Sequence, residues 1–128
     1  MSKPYVLIVE DNPINALVLG KIIEDFCQVI KVENDEQTFV AVEKYPFSLI
    51  LMDINLGGNS LDGEAIMKML RKDFGKETLP IFAVTSYALP EDRERFLASG
   101  FDNYFAKPIA REEIIPVVKK VLGQMGNY

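Results

Sequence analysis

The sequence contains no histidine. That excludes histidine-based catalytic triads, imidazole general bases and histidine-containing metal sites. It also means that no phosphohistidine can form on this chain. There is one cysteine, Cys27, so no internal disulfide is possible, which fits a reducing compartment. Positive charge is in deficit: 14 Lys and Arg against 19 Asp and Glu give a net charge of −5. A phosphate backbone needs a basic face, so nucleic acid is not an expected partner. Long apolar runs are absent too. The opening "MSKPYVLIVED" is too short in its apolar part for a signal peptide or a membrane span, and the chain reads as soluble and cytoplasmic, with no membrane partner.

What is present is a chain of 128 residues, 48% of them apolar, enough for one domain with a proper core. Short apolar runs alternate with longer amphipathic ones. Strands are expected at 5–9, 29–32, 47–52, 80–85 and 102–106. Helices are expected within 11–26 and at 35–45, 64–74, 90–99 and 111–122. Asn12 and Asp62 stand where helix caps belong, Pro13 fits a first helical position, and Gly100 closes the fourth helix. Pro116 either lies in the first turn of a late-starting last helix or kinks that helix. Five β-α units predict an α/β fold: a doubly wound, five-stranded parallel sheet with five helices on its two faces. Right-handed crossovers bring the carboxyl ends of all strands to one edge, where ligands bind in open sheets.

The stretch "LILMDINLGGNSLDG" then stands out, because a buried-looking strand runs straight into the acid Asp53. The first strand likewise ends in Glu10 and Asp11, the fourth in Thr85 and Ser86, and the fifth in Lys107 and Pro108. Taken singly, each has an ordinary reading: a loop starter, a turn residue, a β-branched strand end, a solvated lysine. In a flavodoxin-like strand order 2-1-3-4-5, however, the first and third strands are neighbours and three carboxylates converge. Converging carboxylates raise one another's pKa unless a cation neutralises them, and oxygen-only ligands with room for water suit magnesium. Lys107 offers a point charge and Thr85 a hydroxyl to a phosphoryl group, and Asp53 is then a plausible nucleophile.

Together, "LIVEDN" (7–12), "LILMD" (49–53), "DG" (62–63), "AVTSYA" (83–88) and "YFAKP" (104–108) resemble the receiver domain of response regulators in two-component signalling, over essentially the whole chain from Tyr5 to about Leu122. The "EDNPIN" opening resembles receivers of stand-alone and hybrid-kinase type. The resemblance implies that Asp53 is the phosphoacceptor, served by a histidine kinase or a histidine phosphotransfer protein, and that Mg2+ is the cofactor. It assigns the metal to Glu10, Asp11, Asp53 and the backbone carbonyl of Asn55, with Asp11 as a direct ligand. It makes Thr85 and Tyr104 the switch, Lys107 the partner of the phosphoryl group, Asn55 and Tyr87 tuning positions, and Lys107–Pro108 a cis bond.

Such a domain is a self-phosphorylating acceptor with intrinsic phosphatase activity, not an enzyme turning over an external substrate. Phosphorylation would switch the face made by the fourth helix, fifth strand and fifth helix, where Ala88, Leu89, Phe101, Tyr104, Phe105 and Ile109 fall, about half of them as ordinary core. The downstream protein partner stays open, and a monomer or weak dimer is expected. Ile14, Leu17 and Val18 on the first helix form a second docking candidate. The alternative is a receiver-like interaction module that works without phosphate.

Three departures stand against that pattern: Glu10 in place of the commoner Asp, two extra residues between Asp53 and the "DG" pair, and Gly57 where the family usually has proline. The 54–61 loop is therefore expected to be longer and more mobile than usual. Residues 1–128 are read as a single domain; after Leu122 only "GQMGNY" remains, which fits a stand-alone regulator or a piece of a longer protein alike.

Overall fold

A computed structural model describes residues 3–86 and 89–123. The elements follow strictly as β-α pairs: β1 (Tyr5–Val9), α1 (Pro13–Ile23), β2 (Gln28–Val32), α2 (Asp35–Lys44), β3 (Phe47–Asp53), α3 (Gly63–Asp73), β4 (Ile81–Thr85), α4 (Pro90–Ser99), β5 (Asn103–Ala106) and α5 (Arg111–Val121). The sheet order is β2-β1-β3-β4-β5 and every pairing is parallel. This is the flavodoxin-like order expected from the sequence. Among the described residues no helix is long and apolar enough to cross a membrane.

The near-continuous apolar strands follow from burial on both faces. Val6 to Val9 and Leu49 to Met52 are 0–1% exposed. Alternate residues serve different cores, as the two-residue period of a strand requires. Leu7, Val9, Ile50, Met52, Ile81 and Ala83 pack against the apolar sides of α2, α3 and α4. Val6, Ile8, Leu49, Leu51, Phe82 and Val84 pack against Ala16, Leu19, Ile22 and Ile23 of α1 and Ile114 and Val118 of α5. Each fully buried side chain of this size contributes roughly 1.5–3 kcal/mol relative to exposure.

The helix signals act as written. Asn12 Oδ1 accepts from the amides of Ile14 and Asn15 at 2.9 and 3.0 Å, with Pro13 next to it at the first helical position. Asn34 and Asp62 cap α2 and α3 in the same way. Such caps are each worth about 1 kcal/mol. α4 begins at Pro90, with Glu91 and Asp92 in its first turn, and ends at Gly100 with φ +131°. The late start considered for the last helix does not occur. α5 runs from Arg111 through Pro116, which leaves the carbonyl four residues earlier without its amide donor. The apolar residues of α1 divide: Leu19, Ile22 and Ile23 are buried, whereas Ile14, Leu17 and Val18 are 70, 49 and 54% exposed.

Candidate acidic site at the carboxyl edge of the sheet

Neighbouring strands deliver the acids to one place because of their register. Val9 lies beside Met52, so the next residues along, Glu10 and Asp53, end adjacent strands at the same level. Both continue the alternation that faces α1 and α5: Val6, Ile8 and Glu10 on one strand, Leu49, Leu51 and Asp53 on the other. Lys107 continues it from Phe105 on β5, and its amide donates to the Thr85 carbonyl at 2.8 Å. The ladder thus sets the site, with Glu10 5%, Asp53 3% and Thr85 0% exposed.

Lys107 Nζ lies 2.6 Å from Glu10 Oε1 and 3.3 Å from Asp53 Oδ1. Its nearest partner is therefore Glu10, 97 residues away in sequence, with the proposed nucleophile second. The second Glu10 oxygen accepts from the Asn12 amide at 3.1 Å. Asp53 Oδ1 accepts from the Asn55 amide at 3.2 Å. Burial pushes the Asp53 carboxyl up to about 7, helped by the Glu10 charge, against the opposing pull of Lys107. Burial pulls the Lys107 ammonium down, but its hydrogen bond to Glu10 and the charges of Asp53 and Glu10 outweigh that, so it ends above its ordinary value. One cation serves two buried acids and leaves negative charge in surplus.

The donor set fits a hard divalent cation. Glu10, Asp11 and Asp53 each offer a carboxylate oxygen, and the three lie within 4.8 Å of one another. Oxygens sharing one Mg2+ at its usual bond length are at most about 4.2 Å apart, so a small contraction suffices. Asn55 is placed beside Asp53 by the amide contact, and its Oδ1 accepts from Thr85 Oγ1 at 3.3 Å. Thr85 is thereby tied, through Asn55, to the loop that follows the acid.

Two contributions were not legible from residue type. Gly63, the glycine of "DG", packs against the backbone carbonyl of Asp53; a Cβ there would collide with it, and the Gly63 amide donates to Ile54 O at 3.0 Å. Gly57 donates its amide to Asp11 Oδ2 at 2.8 Å. The 54–61 loop, expected to be mobile, is tied in its middle by that bond and again at its far end, where Ser60 Oγ accepts from the Asp35 amide at 3.0 Å and the Leu61 amide donates to Asp35 Oδ2 at 3.1 Å. The extra residues are spent reaching the first turn of α2.

The Lys107–Pro108 bond is cis. Tyr104 is buried, stacked on Phe96 with ring centroids 6.2 Å apart, and its hydroxyl has no hydrogen-bond partner among the described residues. Phe101 and Phe105 are core, Ile109 is half-buried and Leu89 is 59% exposed. Tyr87 and Ala88 lie outside the described residues.

Residues 6–119 match the family model of the response regulator receiver domain. The chain is similar to the polar-differentiation response regulator DivK of Brucella anthropi, at 33% identity over 119 residues, covering 92% of this chain and 95% of that protein. It is 35% identical over 124 residues to the sensor protein GacS of Pseudomonas syringae, covering 94% of this chain but only 14% of that much longer protein. Among solved structures it resembles the receiver domain of a sensor histidine kinase from Pseudomonas aeruginosa, which has a magnesium ion coordinated in its active-site cleft. That match has 31% identity and a TM-score of 0.79, and covers 95% of this chain and 99% of that one. A two-component response regulator from Clostridium difficile shares the fold, with a TM-score of 0.84 at 24% identity over 97% of this chain and 99% of that one.

Proposed function

The chain belongs to the response regulator receiver domain family of two-component signalling, and from that premise we propose that Asp53 accepts a phosphoryl group from a partner phosphohistidine. The observation that carries the reading is the cluster of buried Glu10 and Asp53 with half-buried Asp11, and Lys107 lying on the two buried acids. Mg2+ would be held by these three carboxylates and the Asn55 backbone carbonyl. When bound, it supplies positive charge to the phosphoryl oxygens and to the crowded acids.

In the transfer, an Asp53 carboxylate oxygen attacks phosphorus in line with the donor nitrogen. The P–O bond forms as the P–N bond breaks, and the departing imidazole takes up a proton. Lys107 moves from Glu10 toward the incoming phosphoryl oxygens, a stronger anionic partner than one shared carboxylate. Thr85 turns its hydroxyl from Asn55 Oδ1 to the same group. Later attack of water on phosphorus returns Asp53 as a free carboxylate, which is the intrinsic phosphatase activity of the domain.

The switch runs from Thr85 to Tyr104 and the α4–β5–α5 face. Support comes from the buried Tyr104 hydroxyl, which has no hydrogen-bond partner among the described residues; leaving such a group unpaired costs about 1–3 kcal/mol that a ring movement toward solvent recovers. Leu89 is exposed on that face for a downstream partner. The histidine kinase or phosphotransfer protein docks on α1, where Ile14, Leu17 and Val18 are exposed beside a groove of about 430 Å³ reaching Glu10 and Lys107. The domain works in the cytoplasm as a monomer or weak dimer.

Intact-protein mass after incubation with acetyl phosphate and magnesium tests the reading. The expected result is one added phosphoryl group in the wild type and none in Asp53→Asn or without magnesium. No adduct in the wild type, even with a phosphorylated histidine donor, favours the phosphate-independent module instead.

A further inference from the structure

The loop between β3 and α3 is fastened at two points, and an acid sits at each. At one, the Gly57 amide donates to Asp11 Oδ2 at 2.8 Å. At the other, Asp35 at the start of α2 gives its amide to Ser60 Oγ at 3.0 Å and takes the Leu61 amide on Oδ2 at 3.1 Å. Between them the chain turns at Gly58, whose φ of +68° lies in the region that favours glycine. The loop is a strap from the first turn of a helix to the carboxylate of Asp11.

A backbone amide is a donor that cannot swing away as a side chain can, so it fixes the carboxylate that it holds. Each carboxylate oxygen accepts independently, so Asp11 can keep this bond while ligating a cation. A side chain at this position would act on Asp11 itself. A Cβ on residue 57 would stand 2.9 Å from Asp11 Oδ2, so the carboxylate would have to shift, and a proline there would have no N–H to give.

We propose that Gly57 is a positioning residue for the metal ligand Asp11: its amide holds the carboxylate ready for Mg2+, and the Asp35–Ser60–Leu61 clasp holds the amide in place. The proposal rests on the reading of Glu10, Asp11 and Asp53 as the magnesium site. Groups that orient metal ligands typically cost 10- to 100-fold in affinity when lost, and the open loop puts the expectation at about 10-fold.

The test is calorimetric titration of Mg2+ into the full chain, with thermal unfolding in EDTA alongside. Gly57→Pro, which lacks the donor, and Gly57→Ala, which crowds the acceptor, should each bind Mg2+ about 10-fold more weakly, and Ser60→Ala about 3-fold more weakly. Their unfolding temperatures in EDTA should stay close to wild type, which a merely structural role for the loop would not allow. The Gly57 amide resonance should be protected from exchange in the wild type and lose that protection in Asp11→Ala. If Gly57→Pro does not fold, Gly57→Ala and the amide resonance decide. Wild-type affinity in both folded Gly57 variants, or an unprotected Gly57 amide, overturns the proposal and leaves the magnesium site standing. A wild type that binds no Mg2+ overturns both.

Discussion

At the amino-terminal edge of the sheet, Arg71 at the end of α3 makes six hydrogen bonds. It donates to the carbonyls of Lys76, Glu77 and Leu79, twice to that of Gly100, and to Asp102 Oδ2 at 2.8 Å. Asp102 in turn accepts from the Ile81 amide, so the loops before β4 and β5 are pinned to one side chain. At the carboxyl-terminal edge, Lys107 meets Glu10 and Asp53, with Asp11 close by. The first cation faces one acid and several carbonyls, and its charge is balanced. The second meets two buried acids with a third close by, and its charge is not balanced. Balanced charge holds a fold together, and the surplus of negative charge around Lys107 leaves that edge in need of a further cation.

The contrast is broken most severely at Arg71. Arg71→Ala orphans several carbonyls and should cost about 3 kcal/mol in denaturant unfolding, while Mg2+ affinity is unchanged. Arg71→Lys should recover little of that, because an ammonium cannot reproduce the planar fork.

At the other edge, Asp53→Asn should stabilise the metal-free protein by about 1–2 kcal/mol at pH 8. The sign follows from the raised pKa. With a folded value of about 7 against an ordinary 3.8, the folded state holds a proton that the unfolded state has lost across that window. Stability from this group therefore falls as pH rises from about 4 to 7. The advantage of Asn should be full above pH 7 and vanish below 4, as unfolding curves at a series of pH values in EDTA will show.

Lys107→Ala sharpens the comparison further, since it removes the cation that competes for the acids. Mg2+ should bind more tightly, by about 1 kcal/mol, while phosphorylation by acetyl phosphate slows. Smallest of all, Lys21→Ala, which breaks an exposed pair with Glu24 at 3.4 Å, should change unfolding by less than about 0.5 kcal/mol and leave both edges untouched.

The two edges also differ in how far the sequence revealed them. The acidic edge was legible because buried apolar runs that end in Glu10, Asp53 and Thr85 break a pattern, and parallel topology gathers strand ends. Strand and helix limits came within about a residue for the same reason, except at the carboxyl end of the first helix, which was placed only within 11–26 and stops at Ile23. Arg71 was invisible: a basic residue in the last turn of a helix reads as a solvated charge that complements the helix dipole. Gly57 and Gly63 act through an amide and a close backbone approach, and neither has a letter of its own. The pairing of Lys107 with Glu10 spans 97 residues, a distance over which side-chain periodicity carries no information. The sequence likewise marked Ile14, Leu17 and Val18 as apolar without saying that the buried side of α1 is Ala16, Leu19, Ile22 and Ile23.

The central claim is that the carboxyl edge carries acid charge that Lys107 alone does not neutralise. It is tested most directly by following the Asp53 side-chain carboxyl carbon by NMR across pH, with and without Mg2+. A midpoint near 7 in EDTA that falls by about 2 units or more with saturating Mg2+ is the predicted result. A midpoint near the ordinary aspartate value in EDTA, unmoved by Mg2+, would contradict it.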